Sequence, residues 1–237
     1  MHRSLLGFFG LAALIAVIPT GAGAPKADNK GFVPLFNGKD LSGWKLHDKP
    51  SGAITEVIKK EQGGKPIAFY GKLKDGKEVP LWRVEDGVLI GSGPASHLFS
   101  ERDDYTNFVY RVEAQINDGG NSGQYFRTQF GPGFPRGYEA QINATHKDRI
   151  KTGSLYFPQI KEVLVLDTAP HKPDEWFTQE VTAVGNHIVI TVNGKKTVDW
   201  KDPKNTYTKG HFALQGHDPG TVVKFRKIEV KELPPSQ

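Results

Sequence analysis

Residues 123–129, GQYFRTQ, and 137–143, GYEAQIN, carry the side chains best suited to chemistry. They read as two β-strands joined by a turn too rich in Gly and Pro for a helix. Strand side chains alternate between faces with a period of 2. Glu139, Gln141 and Asn143 therefore share one face, and Tyr138, Ala140 and Ile142 the other. On the first strand Tyr125 and Arg127 lie opposite Phe126. A carboxylate and two amides in a row on a stiff sheet suit a ligand made mostly of hydroxyl groups, which points to sugar. The competing reading is a solvated face with an ordinary Arg127–Glu139 cross-strand ion pair. The approach Gly119-Gly120-Asn121-Ser122-Gly123 favours a site, because small residues let a ligand or another backbone come close.

Glycoside hydrolysis by the usual routes uses two carboxyl groups, roughly 5–5.5 Å apart for retention and roughly 6.5–9.5 Å for inversion. The alternate partners of Glu139 on its strand are Gln141 and Asn143, so that strand offers only one. No Ser-His-Asp order, zinc motif or phosphate loop stands out, and Gly120-Asn121-Ser122-Gly123 leads into a strand and not a helix. No cofactor is called for. A divalent cation at His146 and Asp148 is the alternative to a solvated loop there. Trp176 is a candidate to line a sugar site, with core packing as the competing role. Trp44, Trp82 and Trp200 read as packing residues.

These residues must be positioned by strands. Phe108 to Asn117 has the longest clean alternation and reads as a central strand packed on one side. Residues 82–90 read as a hairpin turning at Asp86-Gly87. Residues 176–200 read as a meander turning at Gly185-Asn186 and Asn193-Gly194. Phe32 to Phe36, His97 to Ser100, Thr152 to Tyr156 and His211 to Gln215 read as further strands. In the last strand, 221–231, the inward phase slips between Phe225 and Ile228, as a bulge would cause. Residues 48–80 read as an irregular insertion, strand-like only from Ile67 to Tyr70. Many short strands with Gly and Pro turns predict an all-β jelly-roll sandwich in a single domain, 32–233, with a tail at 234–237.

Residues 1–22 read as a signal peptide: His2-Arg3, an apolar run from Leu5 to Ile18, and a Thr20-Gly21-Ala22 cleavage box. A linker, 23–31, follows. The run is short for a membrane span, which needs roughly 20 residues; an uncleaved anchor is the alternative. With no Cys in the chain, disulfides and a lipid-modified cysteine are excluded. A periplasmic or secreted protein with no membrane attachment after cleavage is expected, its mass starting at Gly23. The formal charge is +5, spread over dispersed Lys residues without the basic stripe that nucleic-acid binding requires.

LFNGKDLSGW at 35–44, WRVEDGVLIGSG at 82–93, NSGQYFR at 121–127, GYEAQI at 137–142, TGSLY at 152–156, EWF at 175–177, VNG at 192–194 and LQGHD at 214–218 follow one another in family order. Together they resemble the 3-keto-disaccharide hydrolase domain family, which includes 3-keto-glucoside 1,2-lyases and 3-keto-2-hydroxyglucal hydratases. The resemblance implies a concanavalin A-like jelly roll and an exported enzyme acting on glycosides or oligosaccharides. A family segment resembling LQDHG reads Leu214-Gln215-Gly216-His217-Asp218 here, departing at Gly216. A 3-keto sugar needs only one base for C2 proton abstraction, 1,2-elimination and rehydration. Glu139 would be that base, Arg127 a binder of the enolate and His217 the acid, with Asn121, Tyr125, Gln141, Gln215 and Trp176 binding substrate. The reading from another class is a non-catalytic carbohydrate-binding module on the same sandwich.

Overall fold

The computed structural model describes residues 30–157 and 164–235. The signal peptide read at 1–22, the linker up to residue 29 and the end of the tail lie outside the described residues. Sixteen strands form, and no helix is present among the described residues. In chain order they begin with β1 Val33–Pro34, β2 Trp44–Leu46, β3 Ile54–Gln62, β4 Lys65–Leu73, β5 Glu78–Glu85 and β6 Val88–Gly91. Next come β7 Ser96–Ser100, β8 Phe108–Ile116, β9 Ser122–Thr128, β10 Tyr138–Ile142 and β11 Leu155–Tyr156. The last are β12 Phe177–Val184, β13 His187–Val192, β14 Lys195–Lys201, β15 His211–Gly216 and β16 Val223–Glu232.

They make a jelly-roll sandwich of two antiparallel sheets. One has ten strands, in the order β14-β13-β12-β8-β16-β6-β5-β4-β3, with β1 also paired to β16. The other has six, in the order β11-β10-β9-β15-β7-β2. As its alternation predicts, β8 lies mid-sheet and sends Phe108, Tyr110, Val112, Ala114 and Ile116 into the core. From the facing sheet come Phe126, Tyr138, Ala140, Ile142, Phe212 and Leu214. Aromatic packing joins the layers, with the Tyr110 and Phe212 rings stacked 4.0 Å apart. The phase slip read in the last strand is a register shift between Phe225 and Lys227. The Asp86-Gly87 and Asn193-Gly194 turns both take positive φ at both residues, the geometry of a tight two-residue hairpin.

The irregular insertion expected at 48–80 is corrected by the structure. β3 and β4 form a long hairpin at the sheet edge, turning at Gly63-Gly64, where φ is +59° and +75°. Glycine takes that region at both positions without strain. No alternation marked β3 because most of its residues are solvated, as an edge strand allows. Its Lys and Glu residues also suit an edge that must not pair with another chain.

Candidate active site

The outer face of the six-stranded sheet carries most of the candidate residues, Arg127 and Trp176 excepted. In β10 and β9, Glu139 stands opposite Tyr125 and Gln141 opposite Gly123. Asn121, Glu139, Gln141, Gln215 and His217 line one cavity of about 260 Å³, with Phe134, Asp148, Ile150 and Tyr156 completing its wall. Although this face points away from the core, Glu139 is only 3% exposed. Two loops cover it. Residues 129–137 fold back as a strap, seating Phe130 on Phe99 with ring centroids 5.1 Å apart. Residues 143–151 return over β10.

Glu139 sits in this cavity without a cationic partner among the groups that shift it. Burial drives its proton affinity up to about pKa 8, partly opposed by a hydrogen bond from the Tyr125 hydroxyl, while the nearby Asp148 charge pushes it further up. Tyr125 in turn accepts from Gln215 Nε2 at 3.2 Å. Gly123 makes the arrangement possible: a Cβ there would overlap the Glu139 carboxylate. Gly123→Ala is therefore expected to displace the carboxylate with the fold retained, as a crystal structure of the variant beside circular dichroism would check.

The amides have distinct tasks. Gln141 Nε2 donates to Asn121 Oδ1 at 2.7 Å and to the Ser122 carbonyl at 3.2 Å, which uses both of its N–H groups. Gln141 thus offers a ligand only its carbonyl. Asn121 and Gln215 each commit one N–H, to His146 and to Tyr125. Gln215 Oε1 is buried with no partner, ready for a ligand hydroxyl. Asn143, expected on the ligand face, instead holds the covering loop through the Asp148 and Ile150 carbonyls.

The expectation that Arg127 shares this face is overturned. Arg127 takes φ +50°, and the β9–β15 register shifts between His211 and Ala213 beside it. A bulge of this kind breaks the alternation and re-aims the side chain. The Arg127 guanidinium turns inward and donates to the carbonyls of Thr106 (2.6 and 3.0 Å), Gly185 (2.7 Å) and Tyr207 (3.0 Å). It ties loops together and lines no part of the cavity. Trp176 is also elsewhere: it adjoins β12 of the other sheet, under the Arg226 guanidinium at 4.4 Å.

Sequence reasoning missed Phe134 in the cavity wall and His97 behind it, and named Asp148 only with His146 as a candidate cation ligand. His97, on β7, packs edge-on to Tyr125 at 5.0 Å. Burial, and then the neighbouring His217, lower its pKa to about 3, so the ring stays neutral. Asp148 supplies a second carboxylate to the cavity wall, which inspection of the β10 strand alone excluded. The signal for it was Asn143 at the end of that strand, a residue type that organises loops by bonding their backbone.

His217 Nδ1 lies 2.8 Å from Asp218 Oδ2, so this nitrogen donates and Nε2 is left to exchange a proton. Burial opposes the Asp218 charge, but the bond from His217 and the Gly220 N–H hold its pKa below the usual value. Donor atoms of His146, His217 and Asp218 lie within 4.8 Å of one another, a spacing a cation can bridge. The hydrogen bonds fit a metal poorly. His146 Nδ1 accepts the Asp148 N–H at 3.1 Å, which leaves the proton on Nε2, 3.9 Å from Asp218. A metal-bound imidazole does the reverse, ligating through one nitrogen and donating from the other. The cation considered at His146 and Asp148 meets the same obstacle.

Fold and cavity define a jelly-roll sandwich with an amide-lined cavity on the outer face of its smaller sheet. The chain belongs to the 3-keto-alpha-glucoside-1,2-lyase-like domain family, whose model matches residues 31–231. This makes it a carbohydrate-related protein. Among solved structures it is similar to a presumptive glycosyl hydrolase from Parabacteroides distasonis ATCC 8503, at 24% identity over 86% of this chain and 94% of that one, with a TM-score of 0.59. The carbohydrate-binding module CBM66 from Bacillus subtilis matches at 16% identity over 82% of this chain and 98% of its own, with a TM-score of 0.53. A galectin-like protein of unknown function from Bacillus subtilis matches at 11% identity over 86% and 96%, with a TM-score of 0.52. At these identities the likeness concerns the fold alone. A search of curated proteins gave no match.

Proposed function

We propose that the protein is an enzyme that cleaves the glycosidic bond of 3-keto-glucosides or 3-keto-disaccharides, by elimination across C1–C2 followed by hydration. The observation that carries this reading is Glu139, a buried carboxyl with its proton affinity lifted to about pKa 8 in a cavity of hydroxyl-seeking amides. A ketone at C3 acidifies the C2 proton, and Glu139 removes it as the C2–H electrons delocalise onto O3. The uncommitted N–H groups of Asn121 and Gln215 are the donors for that enolate. As the carbonyl re-forms, the C1–C2 double bond closes and O1 leaves with a proton from His217 Nε2. Water then adds to C1, giving a proton back to His217, while C2 recovers one from Glu139. The sum is hydrolysis.

A second reading has its own observation. Asp148 shares the cavity wall with Glu139, so direct hydrolysis would use a protonated Glu139 as acid with Asp148 as the second carboxyl group. A 3-keto-glucoside deuterated at C2 separates the two. Elimination predicts a primary isotope effect on kcat/KM and an inert plain glucoside, whose C2 proton is too weakly acidic. Equal rates for labelled and unlabelled substrate, with the plain glucoside cleaved, would sink elimination in favour of direct hydrolysis. We place the activity in the periplasm or outside the cell, from the apolar segment at 5–18 that follows a basic start and precedes small residues. Fractionation that leaves the full-length chain in the cytoplasm would refute that placement.

A further inference from the structure

The covering strap ends in a feature that the proposed chemistry does not use. Phe134 lines the cavity, yet 58% of its surface is exposed. An aromatic ring that borders a cavity and stands open to water offers an apolar face for a ligand to cover. Its position is well supported. The Gly133 N–H donates to the Pro50 carbonyl at 3.1 Å. The ring lies edge-on to His97 at 5.9 Å and tilted against His217 at 6.0 Å.

We infer that Phe134 is the platform of a second sugar subsite, which receives the leaving-group ring by stacking on its C–H face. This rests on the proposed function for the identity of the ring in the cavity. The cavity holds about 260 Å³, below the roughly 300–1,000 Å³ of sites for drug-sized ligands, so it suits one pyranose and leaves a second outside. That second ring is tied to the first through O1. His217, the group placed to protonate O1, borders Phe134, so the linkage oxygen passes beside this ring. Stacking there removes apolar surface of both partners from water, and the C–H edges of a sugar meet the electron-rich face of the ring.

The test compares wild type, Phe134→Ala and Phe134→Trp on a 3-keto-disaccharide and on methyl 3-keto-glucoside. The ratio of the two kcat/KM values is expected to fall about tenfold in the alanine variant, the equivalent of about 1.4 kcal/mol, and to persist with tryptophan. An unchanged ratio overturns the subsite even if both rates fall, because the ring would then only shape the cavity. Calorimetry with the unoxidised disaccharide and methyl glucoside gives a readout that needs no turnover. Wild type should bind the disaccharide more tightly and Phe134→Ala should lose that margin; no margin in wild type overturns the subsite. A margin that Phe134 controls, in a protein inert to every 3-keto substrate, would keep the subsite and discard the proposed activity.

Discussion

Replacing Glu139 with glutamine is expected to lower kcat by about 10²–10⁴, the usual worth of a general base, or roughly 3–5 kcal/mol of barrier. Glutamine keeps the shape and one oxygen to accept from Tyr125, so sugar binding should largely persist. That persistence separates an enzyme from a binding module, in which the substitution would alter affinity and nothing else. The pH profile gives the sign of the role. With a pKa of about 8, a base must lose its proton to act, so kcat/KM should show an acid limb that rises with pH towards that value and is missing in Glu139→Gln. If Glu139 instead acted as an acid, activity would fall through the same range.

The same variant should be the more stable protein in alkali. The unfolded chain releases the Glu139 proton near pKa 4.5, whereas the folded protein holds it to about 8. Between those values the native state binds more protons, so wild-type stability declines as pH rises and the loss is complete above about 8. Full linkage over that interval is worth up to roughly 4–5 kcal/mol. Thermal unfolding at pH 9 should therefore favour Glu139→Gln, with little difference at pH 4. Equal midpoints at pH 9 would show that the carboxyl is solvated and not a tuned base.

Arg127→Met is expected to act on stability. It removes the donors to three carbonyls and leaves Thr106, Gly185 and Tyr207 without their buried partner. An unsatisfied buried polar group costs about 1–3 kcal/mol. Relief from burying the charge, which already lowers the Arg127 pKa, offsets part of this, so a net loss of about 2–4 kcal/mol is expected. For a domain of this size that lowers Tm by about 5–15 °C. Below the new midpoint the variant should keep most of its activity, because the guanidinium lies outside the cavity. An unchanged Tm with abolished turnover would return Arg127 to the substrate.

The sequence by itself determined the sandwich and the strands that carry the site. A period of 2 in β8, β9 and β10 follows from strand geometry alone, and it assigned Phe126 and Ala140 to the core and Glu139 to the outer face. The Asp-Gly and Asn-Gly turns were equally legible, because few residue types tolerate positive φ. The tertiary structure decided what alternation cannot express. A bulge at Arg127 reversed one side chain, and no local pattern announces the register shift that makes it. The β3–β4 hairpin stayed hidden because a solvated edge strand needs no apolar face. Asp148 and Phe134 reached the cavity from the loops on either side of β10, and His97 packed against Tyr125 from β7, placements that alternation within one strand cannot express. Glu139 shows the division most clearly. Its identity and face are local, but its raised proton affinity comes from being covered, and only the folded loops exclude the water.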